Sequence, residues 1–514
     1  MTLIEQIQAA RRASVPLLKI TTTDPAPVMA AIHAELVKKK HPVLRWDVCS
    51  GIQGISDPQS AAAALLVNQA GSGDDTPAAI STGNPVEALQ KAQEFAPVNT
   101  LLFMLNGGMF ATGSSDNDSW KPIAQAIWNC RDPFKSTSRT LVLIGDDFKL
   151  PGLLKSDVIE LVDPVPTRED IARIVRDMSR VSKIKVSDED VEAAVECLAG
   201  VLSQFLCENI VAMSFVKKDD KWQMDFDFLW SQSISAIERT SGLKVIKGNA
   251  SFDQIGGLDN IKGYLKQIVK GKRKPTLVVL LDELEKQLGG IGGDSSGVSQ
   301  DAYGQLLTAM NDYEWQGILF PGFPGTGKTE CAKAMGAEAG GLFVMMDMGG
   351  MKGSLVGQSE QMIRNAVQVL KARGGDRVFF VGTVNDTTGI PAPLFRRMSY
   401  GTFFFDLPTT AEQKPIWDIY RKKYGVEDSV LPSCDGWTGA EIKQCCRLAD
   451  ELEIKLVEAA QYVSPVVKTM GEGVDKLRKS AAGKYFSASE PGVYQPKKKV
   501  TAAAVMQRSA PGAN

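Results

Sequence analysis

The sequence predicts an α/β fold built on parallel sheets, and three observations predict it. Short apolar runs alternate with helix-favouring runs in both halves of the chain, the pattern of strands whose chain returns through helices. Residues 322–329, Gly-Phe-Pro-Gly-Thr-Gly-Lys-Thr, lie between one apolar run (317–321) and a helix-favouring stretch (330–339). The punctuation of the first half also recurs in the second. Together these give two α/β regions in tandem, of which only the second carries a loop suited to phosphate.

Bulk properties narrow the class. A chain of 514 residues has room for roughly three or four domains, each with its own core. Hydrophobic residues make up 44% and charged residues 23%, ordinary for a globular protein. The net charge of −2 and a pI near 6.0 supply no basic field for nucleic acid. The eight cysteines form no C-x-x-C pair and the histidines number two, which argues against zinc and for reduced core thiols in a cytoplasmic protein. No apolar run reaches the length of about 18 residues that a bilayer demands, and the N-terminus lacks a signal-peptide pattern, so no membrane partner is expected.

In the first region, residues 1–15 read as an amphipathic helix and 17–22 and 43–47 as strands around a helical run. Residues 100–105 and 140–144 are two more strands of buried type, and 72–81 and 113–119 are Gly/Ser/Asp-rich loops. No glycine cluster precedes a Lys-Ser or Lys-Thr pair here, so this region holds no phosphate loop. Residues 145–170 run from a strand through Leu-Pro and a second strand to Asp-x-Pro and an acidic helix start; residues 382–412 repeat that order. The first region therefore reads as a degenerate copy of the later one, although any two α/β sheets share some of this punctuation. Residues 165–245 are mostly helical by pattern, and 241–250 read as a linker.

The loop at 322–329 carries the chemistry. Gly322, Gly325 and Gly327 let backbone N–H groups turn inward on a polyphosphate, and the helix that follows adds partial positive charge. Lys328 would reach the β- and γ-phosphates and the Thr329 hydroxyl would ligate Mg2+. Pro324, Thr326 and Glu330 complete the candidate binding loop. Residues 278–283, Val-Val-Leu-Leu-Asp-Glu, are a buried-type strand ending in two carboxylates. Asp282 at its edge would hold Mg2+, and Glu283 would polarise an attacking water as general base.

From Phe252 to about residue 465 the chain resembles the AAA+ ATPases, specifically their AAA branch. The resemblance implies ATP and Mg2+ as ligands and a P-loop NTPase parallel sheet with a C-terminal helical lid. It makes Val278–Glu283 the Walker B segment and puts Ile255 and Gly256 beside the adenine. It makes 378–385 the sensor-1 strand, whose Asn385 meets the γ-phosphate or the lytic water. It makes Arg396 or Arg397 the arginine finger offered to a neighbouring subunit, without choosing between them. Residues 352–360 resemble the central-pore loop that grips a polypeptide, with Leu355 where an aromatic is usual. Residues 436–441 resemble the sensor-2 turn, where Ala440 agrees with the branch. The domains expected are a degenerate α/β domain (1–164), a helical subdomain (165–245), the nucleotide-binding α/β domain (246–410), a helical lid (411–470) and a flexible tail (471–514) with a basic cluster at 497–499.

One feature departs from the family. There the phosphate loop precedes the acidic strand; here Asp282 precedes Lys328 by 46 residues, as if 275–316 had moved forward as a block. The family's sheet sets the two strands two positions apart, and right-handed crossovers that skip a strand permit the changed order. The linkers 271–274 and 371–376 then span different gaps. The function expected is ATP hydrolysis coupled to remodelling of a protein partner by a homo-oligomeric ring, a hexamer by resemblance. The alternative is an ATP-binding scaffold or switch with little turnover; a nucleic-acid motor is disfavoured by charge.

Overall fold

The computed structural model describes residues 1–37, 41–55, 83–111, 119–146, 148–218, 221–246, 248, 250–288, 298–349, 351, 358–387, 390–427, 430–466 and 472–496. The chain divides into two compact units, one of residues 1–195 and 202–224, the other of residues 196–201 and 225–514.

The first unit is built on strands β1 (Leu17–Thr21), β2 (Val43–Asp47), β3 (Gly51–Gly54), β4 (Leu101–Leu105), β5 (Thr140–Gly145) and β6 (Ile159–Val162), in the order β3-β2-β4-β5-β1-β6. All pairs are parallel except β2 with β3. Period-two alternation splits its side chains between two cores. Leu17, Leu102, Leu141 and Leu143 face Leu89, Ile127 and Phe134 of the helices Pro85–Phe95, Trp120–Asn129 and Arg131–Ser136. Leu18, Ile20, Phe103 and Val142 face Ile7 of Leu3–Arg12 and Ile32 of Pro25–Val37. The helices Arg168–Ser182 and Gln204–Ser214 follow, with a hairpin of β7 (Phe215–Lys218) and β8 (Lys221–Met224).

The second unit is built on β9 (Leu243–Val245), β10 (Leu277–Leu281), β11 (Gln316–Pro321), β12 (Leu342–Met346) and β13 (Val378–Val384), in the order β11-β13-β10-β12-β9. The acidic strand β10 therefore lies two positions from the loop-bearing strand β11, with β13 between them. The displaced block has entered the sheet in the position the resemblance implies. At the opposite end of the strands the two linkers meet: Thr276 N donates to Arg377 O at 3.1 Å, and Arg273 pairs with Asp376 at 3.7 Å. Val278, Leu280, Ile318, Phe320, Phe379 and Val381 share one face with the helices Asp259–Lys270 and Lys328–Glu338. The helices Val298–Asp312 and Gln358–Gly374 pack together on the other side.

Two expectations change. Residues 241–250, read as a linker, contain β9, whose buried Leu243 and Val245 pair antiparallel with β12. Residues 472–496, read as part of a flexible tail, are folded. The helix Glu472–Ala481 buries Val474 and Leu477 with Phe323 and Phe404, and β15 (Phe486–Ser487) adds parallel to β14 (Phe403–Phe404). Asp406 fastens the segment by accepting from Arg478 at 2.8 Å and from the Tyr494 hydroxyl at 2.7 Å. A few apolar side chains spaced along a polar stretch suffice once a sheet edge is there to receive them. The basic cluster 497–499 lies outside the described residues.

The lid is a separate helical layer of Thr410–Tyr424, Gly439–Glu451 and Leu456–Ala459 around Trp417, Trp437, Ile442 and Leu456. Thr409 and Glu412 form a capping box that starts its first helix.

Candidate functional site

Where β10, β11 and β13 end, the chain leaves a cleft of about 1070 Å3 between the sheet and the lid. Gly322, Pro324, Gly325, Thr326, Gly327, Lys328, Thr329 and Glu330 form its floor, all but Gly322 lining the cavity. Gly325 and Gly327 take left-handed conformations, with φ of 78° and 94°, which side chains with a Cβ resist. Close packing fixes Gly325 further. A Cβ there would meet Thr438 Oγ1 at 2.6 Å, and Ala440 N donates to Gly325 O at 3.2 Å. The sensor-2-like turn thus rests on the loop.

Lys328 opens the helix Lys328–Glu338 and is almost wholly buried. Its ammonium donates to Gly322 O at 2.7 Å, Phe323 O at 2.8 Å and Asn385 Oδ1 at 2.8 Å. Burial lowers its pKa to about 8, against the pull of the carboxylates of Glu285, Asp282 and Glu283. Thr329 Oγ1 donates to Asp282 Oδ1 at 2.9 Å, so the hydroxyl and carboxylate expected to share a cation already touch. The same oxygen accepts from Thr383 Oγ1 at 2.6 Å, and Thr383 in turn accepts from Glu283 N at 2.9 Å. Glu283 has φ of 49°, a left-handed conformation that ends β10 sharply. Its carboxylate meets Lys286 at 2.7 Å, and Asn385 Nδ2 at 3.4 Å.

Ile255 and Gly256 line the far end of the cleft. A Cβ on Gly256 would meet Ile416 N of the lid at 2.7 Å, so sheet and lid close tightly there. Arg396 and Arg397 end the short helix Ala392–Arg397, Arg396 exposed and Arg397 half-buried, and neither lines this cleft. The pore-like loop 352–357 lies outside the described residues.

Sequence reasoning missed Thr383, Glu285, Asp406 and Ser489. The last two line the cleft, and Ser489 reaches it on the folded C-terminal segment. Thr383 stands inside the 378–385 strand, two residues before Asn385, and Glu285 lies just past the acidic motif, two residues after Glu283. For Thr383 the available signal was a hydroxyl in an otherwise apolar strand, whereas Glu285, among Asp282, Glu283 and Lys286, gave none.

A family model described as "ATPase family associated with various cellular activities (AAA)" matches residues 318–385, from β11 to Asn385. A second, described as "SpoVK-like AAA ATPase, N-terminal domain", matches residues 3–162. The uncharacterized AAA domain-containing protein ycf46 of Trieres chinensis is 22% identical over 409 residues, covering 70% of this chain and 74% of that protein. The chain belongs to the AAA+ ATPase superfamily. Among other AAA relatives, ycf46 of Guillardia theta is 20% identical over 464 residues, covering 79% of this chain and 84% of its own. Vacuolar protein sorting-associated protein 4 of Dictyostelium discoideum is 24% identical over 163 residues, 32% of this chain and 29% of that protein. The AAA model begins at residue 318, so the acidic strand β10 lies upstream of the matched segment. Among the described residues no helix is long and apolar enough to cross a membrane.

Proposed function

We propose that this AAA+ chain is an Mg2+-dependent ATP hydrolase that works as a homo-oligomeric ring and remodels a protein partner. The contact between Thr329 and Asp282 carries the reading, because it joins the loop and the displaced acidic strand at one point. An alcohol and a carboxylate oxygen are the hard donors Mg2+ prefers, so Thr329 and Asp282 fit the ion. When bound it would supply charge neutralisation between the β- and γ-phosphates. Gly325, Thr326 and Gly327 wrap the phosphates with backbone N–H groups, and Lys328 exchanges carbonyl oxygens for phosphate oxygens. Glu283 exchanges Lys286 for the attacking water and takes its proton. Asn385 orients that water or the γ-phosphate. Ile255 and Gly256 receive the base.

Arg396 and Arg397 stand clear of their own cleft, which supports their use on a neighbour's γ-phosphate. Ala440 against Gly325 ties the lid to the loop, so occupancy of the cleft would move the lid relative to the sheet. The likeness to vacuolar protein sorting-associated protein 4 supports a protein as the partner. Phosphate release by the wild type, set against Glu283→Gln, tests the reading. Turnover absent in the mutant, together with a larger sedimentation coefficient in ATP, is expected. Release at the mutant's level by the wild type would leave only an ATP-binding switch. In a working ring, Arg396→Ala or Arg397→Ala lowers turnover, and mixing that arginine variant with the Glu283→Gln form restores activity in part.

A further inference from the structure

The segment Asp282-Glu283-Leu284-Glu285 carries three acids, of which the proposed function uses two. The left-handed turn at Glu283 starts the short helix Leu284–Leu288, and Leu284 is fully buried beneath it. Glu285 is thereby turned toward β13 rather than toward solvent. Its Oε1 accepts from Asn385 Nδ2 at 2.8 Å, shorter than the 3.4 Å between the same nitrogen and Glu283. Its Oε2 is buried with no donor among the described residues. Lys286, the nearest cation in sequence, is exposed and pairs with Glu283 instead. A carboxylate oxygen held from water without a partner is costly, and an acid serving only the first turn of a helix would face outward.

An amide has one donor end and one acceptor end. Asn385 presents its Oδ1 to the Lys328 ammonium at 2.8 Å and its NH2 to Glu285. With a cation on one side and carboxylates on the other, only this orientation satisfies both ends. We propose that Glu285 is a positioning residue that sets the orientation of the Asn385 amide, keeping its NH2 on the side of Glu283 where the attacking water would stand. This rests on the hydrolase reading for its consequence, though the contact itself does not. Glu285 acts through Asn385, so it governs turnover rather than ATP affinity.

Glu285→Gln preserves size but lets either end of its own amide face Asn385. It is expected to lower kcat about tenfold and leave KM within about twofold. On an Asn385→Ala background the same change should cost nothing further, because the group it orients is gone. In full-length protein labelled with 15N-asparagine, the side-chain NH2 resonance that disappears in Asn385→Ala should shift in Glu285→Gln without nucleotide, while the melting temperature holds. An unmoved resonance, or a kcat loss of equal size on both backgrounds, overturns the proposal. If the wild type releases no phosphate, the hydrolase reading fails separately, and the resonance still decides whether Glu285 orients Asn385.

Discussion

The two sheets of this chain share a plan and differ in what their strands deliver. Read from one edge, β6-β1-β5-β4-β2-β3 in the first unit corresponds to β14-β11-β13-β10-β12-β9 in the second, with an antiparallel edge strand in each. Each last strand is followed by an aspartate, Asp163 or Asp406, and by a helix with a capping box, Thr167 with Asp170 or Thr409 with Glu412. The difference lies at the end of the corresponding strands β1 and β11. After β11 the chain enters the glycine loop. After β1 it runs Thr22-Thr23-Asp24-Pro25. The Asp24 carboxylate accepts from the Ser203 hydroxyl at 2.7 Å and from Gln204 N, and Pro25 opens its helix without an N–H to offer. A phosphate there would meet a negative charge and a missing donor. Strand order makes the scaffold; a handful of residues beyond one strand decides whether it holds nucleotide. The second unit adds that the spatial order of strands survives a change in their order along the chain.

The sharpest test of this contrast is Glu283→Gln. If Glu283 is the base as proposed, the change should lower phosphate release by about a hundredfold or more, with ATP still bound. Lys328→Ala should weaken nucleotide binding about 10- to 100-fold and leave no second site by calorimetry. A residual site of unchanged affinity would place nucleotide in the first unit and break the comparison.

The third expectation concerns pH. With Lys328 at about 8 when free, binding phosphate below that value needs no proton, whereas above it a proton must be taken up. ATP affinity should therefore fall about tenfold per pH unit above 8, measurable by titration of a fluorescent analogue. Because the folded value lies below the ordinary 10.5, the unfolded chain holds more protons between these limits. This residue thus adds stability to the ligand-free protein as pH rises from about 8 to 10.5, and its penalty is fully present below. The smallest effect is expected from Asp24→Ala: about 2 kcal/mol of stability in the first unit, read by denaturant melts, with nucleotide affinity unchanged.

Much of the second unit is legible in residue order alone. The glycines, Lys328 and Thr329 share eight consecutive positions, and Asp282 and Glu283 follow four aliphatics, so local pattern suffices. What escaped depends on contacts distant in sequence. Thr383 looks like any strand threonine until β13 lies beside β10, where it bridges the Asp282 carboxylate and Glu283 N. Glu285 looks like a helix-surface acid until the turn at Glu283 points it inward. Residues 472–496 are too polar and glycine-rich to announce a packed segment, and only the edge at Phe403–Phe404 gives β15 its partner. The joining of β10 to β11 through β13 rests on tertiary pairing that no local window contains.

The place of β13 has a consequence for synthesis. It lies between β10 and β11 yet follows both in the chain, as β5 follows β4 and β1 in the first unit. A nascent polypeptide leaving the ribosome carries the acidic strand and then the lysine turn with no means of joining them until residues 378–385 emerge. Each sheet thus receives the strand between these two neighbours only after both have been made. A chain stalled before Val378 should leave nucleotide untouched however much of the cradle it has already made.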